Sequence, residues 1–272
     1  YFFYFLGCLV AISRVLVGAH FISDVFAGLI ITLISYKILK HVSLPLGKFN
    51  VGKIEKISFG ANEAFFNSLI IFIVVSMVLT ASPLIDVIIS NLFYLGDNQF
   101  YLQKSNYITI LFREFYLPFL LVYILLLTIF SRFNFIKKLF FYNTFSFKQI
   151  LFLWLSSAMS LILIVNYLLK DLWGRVRPND LAFFEGSFLF TPWYKLTSFC
   201  DSNCSFVSGD ASVGYLVLVL YFLTKNIWFF YISLFSGSVL GLIRIAEGGH
   251  FLSDVVFAQI IISFSIFFSY LL

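Results

Sequence analysis

Most of this 272-residue chain is written in apolar runs of roughly 17 to 25 residues, the length that crosses the hydrocarbon core of a bilayer as a helix. Inside lipid no water satisfies backbone N–H and C=O groups, so such runs must close their hydrogen bonds within themselves. A membrane barrel would instead show roughly ten-residue alternating segments, and the sequence has none. Composition agrees: 61% of residues are hydrophobic and 11% charged, against about 25% charged in soluble domains. The sequence therefore predicts an all-α integral membrane protein whose first partner is the lipid bilayer. The net charge of +5 does not point to nucleic acid, because the basic residues are concentrated in short loops beside apolar helices.

The runs predict one helix ending near Ser13 and a second from about His20 to Lys40. A polar linker follows, carrying Lys48, Lys53 and Lys56. Six more helices are expected, at Ala64 to Ala81, Phe115 to Phe130, Gln149 to Leu169, Ala211 to Thr224, Ile227 to Ile243 and Phe251 to Leu272. This divides the chain into a helix pair (1–40), a cytoplasmic linker (41–63) and a six-helix membrane domain (64–272). Lys37 to Lys56 and the loop with Arg132, Lys137, Lys138 and Lys148 are basic and belong inside. Loops on the opposite side mix both signs, among them Asp86, Asp97, Lys104, Arg113 and Glu114. That topology puts Arg14 to His20, Lys170 to Asp210 and Arg244 to His250 on one non-cytoplasmic face.

Two of those clusters repeat each other. "RVLVGAHFISD" (Arg14 to Asp24) and "RIAEGGHFLSD" (Arg244 to Asp254) place Arg, His and Asp at identical spacing, and the chain has only three histidines. The same offset of 230 residues pairs Tyr1 with Tyr231, Gly7 with Gly237, Gly18 with Gly248 and Ile30 with Ile260. Residues 1–40 thus read as the closing helix pair of an upstream repeat. Arg14, His20 and Asp24 are expected either as part of a tandem site or as a vestigial one that packs against the complete copy, since this stretch has no counterpart of Lys170, Arg177, Ser208 or Asp210 here.

Three stretches of the complete copy carry chemistry: "KDLWGRVRP" (Lys170 to Pro178), "SGD" (Ser208 to Asp210) and "RIAEGGHFLSD". Lys170, Arg177 and Arg244 suit a phosphate, whose oxygens a guanidinium fork can hold in pairs. Taken singly, each could equally be a cation reaching from a helix end to the interface. His250 and Asp254 are four apart, so their side chains project from one helix face. Asp254 accepting from Nδ1 would fix the tautomer and leave Nε2 free; a metal pair or a helix cap is the plainer alternative. Ser208 and Gly209 begin another helix, where backbone N–H groups and a hydroxyl can receive an anion, although Ser-Gly is also an ordinary helix start.

In order and spacing these stretches resemble the phosphatidic-acid phosphatase type 2 (PAP2) superfamily, which includes bacterial lipid A and undecaprenyl-pyrophosphate phosphatases. The family pattern is Lys, six residues, Arg-Pro; then Ser-Gly-His; then Arg, five residues, His, three residues, Asp. The resemblance implies that His250 attacks phosphorus to give a phosphohistidine, oriented by Asp254. Lys170, Arg177, Ser208, Gly209 and Arg244 would bind the phosphate. No metal and no organic cofactor is implied, because positioned cations can stabilise phosphoryl transfer. Asp210 departs from the family, which generally has a His acting as acid there. A carboxylate is ordinarily ionised at neutral pH, so Asp210 serves only as a proton-sharing carboxyl, or with a leaving group needing little protonation. The expected protein is a lipid phosphatase of a bacterial inner membrane, with its site on the periplasmic side. A lipid phosphotransferase and a non-catalytic phospholipid-binding protein are the alternatives. The headgroup chemistry does not separate lipid A, undecaprenyl pyrophosphate, phosphatidic acid and phosphatidylglycerol phosphate. Cys200 and Cys204 flank "DSN" and can pair in an oxidising compartment, and Trp173, Trp193 and Tyr194 are expected as interfacial anchors.

Overall fold

The computed structural model describes residues 55–102, 106–130 and 145–271. The helices expected over residues 1–40, with Arg14, His20 and Asp24, lie outside these, as does the expected 41–63 linker up to residue 54. The end of that linker is already helical. Helix α1 runs Glu55–Ala81, starting before the expected Ala64.

After α1 come α2 (Ile85–Asn91), a small hairpin of β1 (Tyr94–Gly96) and β2 (Gln99–Phe100), and α3 (Tyr107–Ile110). A π-wound turn, Leu111–Tyr116, leads directly into α4 (Leu117–Phe130). Helix α5 (Phe147–Ala158) likewise continues as a π-wound segment, Met159–Lys170. A long loop with two short 3-10 turns follows, and then α6 (Gly209–Leu216), α7 (Leu218–Thr224), α8 (Ile227–Ala246) and α9 (Leu252–Leu271).

Among the described residues three helices are long and apolar enough to cross a bilayer, Phe147–Lys170, Ile227–Ala246 and Leu252–Tyr270. The bent pair Asn67–Ala81 and Ile85–Asn91 is a fourth candidate, and Gly209–Thr224 is apolar but shorter. The protein is thus mostly helical with several candidate spans, in the class the sequence predicts. Two features add to the expected six helices: a short helix after the expected end at Ala81, and a π-wound turn around the expected start at Phe115. At "SPLI" the chain turns by 97° between α1 and α2, because Pro83 has no N–H to continue the ladder and disfavours helical backbone at Ser82. Ahead of α4, Pro118 denies the same bond to an upstream carbonyl, and the helix widens into the π-wound turn before it.

The hairpin, which the apolar periodicity does not signal, turns on Asp97 and Asn98, both at positive φ of 51° and 53°. Such paired left-handed residues are what a two-residue hairpin turn requires. Phe100 packs on the turn after α8, where a Cβ on Gly248 would lie 2.6 Å from its ring, and Leu102 N–H donates to the Ala246 carbonyl at 3.0 Å.

Large apolar residues fill the core and also cover the outside, while most buried polar residues are serines on the helices and at the site. Ile71, Met77, Ile162, Phe235 and Phe268 face outward, as a lipid-facing surface demands. Helix α6 and its continuation α7 are buried nearly all round, with Tyr215, Leu216, Leu218, Leu220 and Tyr221 in the core. Helix α8 approaches α6 closely through glycines: a Cβ on Gly214 would lie 2.6 Å from Gly237 Cα, and one on Gly237 would lie 2.2 Å from the Tyr215 ring. Ser233 and Ser236 donate across the same contact to the carbonyls of Tyr215 and Gly214, at 2.7 and 2.8 Å. In lipid no hydrophobic effect draws helices together, so this close packing and these hydroxyl bonds hold the pair. Gly237→Val should therefore lower stability by about 1–3 kcal/mol or more, read as an earlier thermal unfolding midpoint in detergent; an unchanged midpoint would mean that the helices can part at no cost.

Candidate active site

Backbone hydrogen bonds gather the three motif-bearing stretches at one end of the helices. Cys204 N–H donates to the Lys170 carbonyl (3.3 Å) and Ser205 N–H to that of Arg175 (2.8 Å), so the first stretch is zipped to the segment ahead of α6. Asn179 N–H donates to the Gly248 carbonyl (3.0 Å) and Ser208 N–H to that of Asp254 (3.2 Å). Cys200 and Cys204 are joined as a disulfide within the same loop.

His250 stands just before α9 and is buried. Its Nδ1 lies 2.7 Å from the Ser205 carbonyl oxygen. A carbonyl can only accept, so Nδ1 carries the proton and Nε2 keeps its lone pair. Asp254 Oδ2 is 3.5 Å from Nδ1, longer than a normal hydrogen bond. The Ser205 carbonyl is thus the closer acceptor and fixes the tautomer, with the Asp254 carboxylate beside it on the same nitrogen. Asp254 is positioned by its own helix start, accepting from the Phe251 N–H at 2.9 Å, the reach-back of an acidic third residue to the capping position. It also accepts from the Ser205 hydroxyl at 2.5 Å.

Behind Asp254 lies a dry ionic chain that the motif does not contain. Arg175, fully buried, donates from Nη1 to Asp254 Oδ1 at 2.6 Å and from Nη2 to Asp86 Oδ2 at 2.8 Å. Its Nε donates to the Thr191 carbonyl at 3.1 Å, and its Cζ lies 4.1 Å from the centre of the Phe251 ring. Asp86, on α2, receives further bonds from the Ser253 hydroxyl and the Ser253 N–H. Burial, opposed by the Asp254 carboxylate and reinforced by Arg244 and Lys170, pushes the His250 imidazole down from 6.5 to about 4. The ring is therefore neutral across the physiological range.

In front of the imidazole is a cationic pocket. The ammonium of Lys170 lies within electrostatic reach of Arg177, Arg244 and Asp210, and Arg244 within reach of Arg177. Lys170 donates to Asn203 Oδ1 at 3.1 Å and Arg177 to the Asn203 carbonyl at 2.8 Å. Gly209 lets Lys170 come close, since a Cβ there would lie 2.9 Å from Nζ. Gly249 does the same for Arg244, whose Nη2 would be 2.5 Å from a Cβ. Ser208 is a buried helix cap, its hydroxyl accepting from Ala211 N–H at 3.5 Å, which is the plainer of its two expected roles. Asp210 faces two guanidiniums: its Oδ2 is 3.2 Å from Arg113 Nε and 3.2 Å from Arg244 Nε. Arg244 also pairs with Glu247, and Arg113 Nη1 lies 3.8 Å from the same carboxylate.

The structure thus brings together Lys170, Arg177, Ser208, Gly209, Asp210, Arg244, His250 and Asp254. The motif alone misses Asp86, Arg113, Arg175 and Glu247. The charge of Asp86 inside the apolar run "PLIDVIIS" was a signal, because an ionisable group at membrane depth is functional or paired. Trp173 and Trp193 are half-buried and pack against Phe206, Trp193 stacked on it and Trp173 tilted, and Trp193 also lies 4.0 Å from Phe257 between ring centres. Tyr194 is exposed, as expected.

Comparison with known proteins adds an independent line. The sequence model of the PAP2 superfamily matches residues 1–46 and 151–272, which include every motif residue of the site. A lipid A 4'-phosphatase of Francisella tularensis subsp. novicida is 43% identical over 114 residues, covering 40% of this chain and 51% of that protein. A lipid A 4'-phosphatase of Rhizobium leguminosarum is 42% identical over 98 residues, covering 35% of this chain and 42% of that protein. The chain spans about half the length of these curated relatives, or less. No solved structure matches it.

The buried chain makes a sharp demand on stability. Arg175→Met leaves Asp86 and Asp254 facing each other without their cation and should cost about 3–5 kcal/mol. Unfolding of the purified variant in detergent would measure this, and a loss under 1 kcal/mol would mean that the two carboxylates are not held ionised by Arg175.

Proposed function

The chain belongs to the PAP2 superfamily, and from that premise we propose that it is a membrane lipid phosphatase. The reading is a hydrolase that removes a phosphomonoester or pyrophosphate from a lipid headgroup on the periplasmic side of a bacterial inner membrane. The observation that carries it is the neutral His250 imidazole with its proton fixed at Nδ1 and the cations Lys170 and Arg244 within reach of its ring.

In this mechanism the substrate phosphoryl group rests against Lys170, Arg177 and Arg244. The Nε2 lone pair of His250 forms a bond to phosphorus as the bond to the lipid oxygen breaks. The imidazole becomes cationic in that step, and the Asp254 charge 3.5 Å from Nδ1 stabilises it. The cations stabilise charge on the equatorial oxygens. Asp210 is assigned to the leaving oxygen as a proton relay: a proton from solvent water passes through its carboxyl to that oxygen as the P–O bond breaks, and the water that later attacks phosphorus returns a proton by the same route. Water then attacks phosphorus, the N–P bond breaks, and inorganic phosphate leaves His250 neutral again. The relatives' names favour a lipid A sugar phosphate as the substrate to try first.

Phosphate release by the full chain in detergent, with chelator present, should be compared across lipid A, undecaprenyl pyrophosphate, phosphatidic acid and phosphatidylglycerol phosphate. His250→Ala should lower release from the preferred lipid at least about a thousandfold. Equal release from both proteins removes His250 from the chemistry, and label appearing on an added acceptor lipid instead of in free phosphate makes the protein a transferase.

The protonation of His250 gives a second test. Its folded-state pKa is lowered to about 4, so the imidazole gains its proton only well below pH 6.5. Nitrogen NMR of histidine-labelled protein, with His250→Ala to identify the resonance, should show the neutral Nδ1–H tautomer persisting at pH 5. A midpoint near 6.5 would contradict both the burial and the readiness of the nucleophile.

A further inference from the structure

Arg113 lies outside both stretches that the family model matches, yet it reaches into the pocket those stretches build. It stands on the π-wound turn Leu111–Tyr116, and its side chain is 34% exposed, open to whatever enters the pocket. The arrangement it makes is that of an occupied anion site. One carboxylate oxygen, Asp210 Oδ2, sits 3.2 Å from Nε of Arg113 and 3.2 Å from Nε of Arg244. Two guanidiniums from different helices thus converge on a single oxygen, beside the Lys170 ammonium.

The fit of that oxygen is poor. Arg113 Nε, Arg244 Nε, Asp210 Oδ2 and Glu247 Oε1 are all buried and have no hydrogen-bond partner among the described residues. The charges are close enough to neutralise one another, but the N–H groups do not point at the oxygen that neutralises them. Buried donors and acceptors left unmet are costly. Arg244 and Glu247 are nearly sealed from solvent, with side chains 4% and 2% exposed. A tetrahedral oxyanion, with more oxygens spread in space than a carboxylate, can meet both guanidiniums along their N–H directions.

We propose that Arg113 is a further phosphate-binding residue, and that Asp210 is an internal anion occupying the place on Arg113 and Arg244 that a phosphoryl group takes. An incoming phosphate displaces the carboxylate from both guanidiniums, so the free site is held in order by its own counter-ion and the bound site exchanges that counter-ion for substrate. This deepens the phosphatase reading and rests on it for the identity of the natural anion, although not for the existence of the site.

The probe is inorganic phosphate, titrated calorimetrically into the purified full chain in detergent. Asp210→Asn removes the competing charge and should tighten phosphate binding about tenfold, and Arg113→Gln should weaken it about tenfold. The decisive comparison is Arg113→Gln in the Asp210→Asn background. If Arg113 touches phosphate, it weakens binding there too; if it only restrains Asp210, it changes nothing, and the proposal is overturned. Arg113→Lys keeps the charge and should retain most of the affinity, so equal affinity of the parent, Arg113→Gln and Arg113→Lys also overturns it. Phosphate release separates this inference from the reading beneath it. Binding that shifts as stated, with no lipid hydrolysed, sinks the phosphatase and leaves the anion site standing. Hydrolysis with unshifted binding sinks the anion site alone, and a parent chain that binds no phosphate sinks both.

Discussion

A guanidinium with no access to water, held between two carboxylates, is the interaction on which the site depends. Arg175 links α2, through Asp86, to the start of α9, through Asp254. Taking three charges out of water costs several kcal/mol for each ion, and mutual attraction repays this only when the geometry is good and the remaining lone pairs are filled. Here they are filled. Asp254 receives Arg175, the Ser205 hydroxyl and the Phe251 N–H, and Asp86 receives Arg175 and both donors of Ser253. Those donors come from the Arg175 loop, the segment ahead of α6 and the start of α9, so satisfying the two carboxylates also fixes where Ser205 and His250 stand.

The imidazole therefore lies at a boundary between two electrostatic environments. Behind it is a closed, dehydrated chain with two carboxylates and one cation, biased toward negative charge. In front of it Lys170, Arg177, Arg244 and Arg113 face Asp210 and Glu247, a partly solvated group biased toward positive charge. A neutral ring at that boundary is stabilised against protonation by its burial and by the cations ahead, and it is stabilised as an imidazolium once a phosphoryl dianion neutralises those cations. The same residues would favour opposite charge states before and after an anion arrives, which is what the proposed role of His250 as a nucleophile requires.

How much of this could be read from the chain follows from how the charges are spaced. Lys170, Arg177, Arg244, His250 and Asp254 sit within two short stretches at fixed intervals, and local spacing is visible without a structure. Asp86 and Arg175 are 89 residues apart, and nothing local marks them as partners. Arg175 is further obscured by Arg177, two positions on, which the motif accounts for. The helical class was legible because lipid enforces it; the breaks were less so. The expected helix ends at Ala81, ahead of Pro83, but the short helix beyond that proline, which carries Asp86 inward, falls in an expected loop. The role of Ser205 was out of reach for a different reason: it binds His250 through a backbone carbonyl, which every residue possesses.

Asp210 is best understood together with Arg113 instead of against the family pattern alone. A His at position 210 would leave the guanidiniums of Arg113 and Arg244 facing each other across the pocket with Glu247 as their only nearby carboxylate. Like charges at that separation, in a site largely shielded from water, repel strongly enough to matter. The carboxylate at 210 removes that repulsion, and Arg113 in turn gives the carboxylate a reason to be there. Arg113 without Asp210 would add uncompensated positive charge to the pocket, and Asp210 without Arg113 would weaken its hold on an anion. As a pair their charges cancel, and under the proposed exchange Arg113 becomes one more guanidinium for an incoming phosphate.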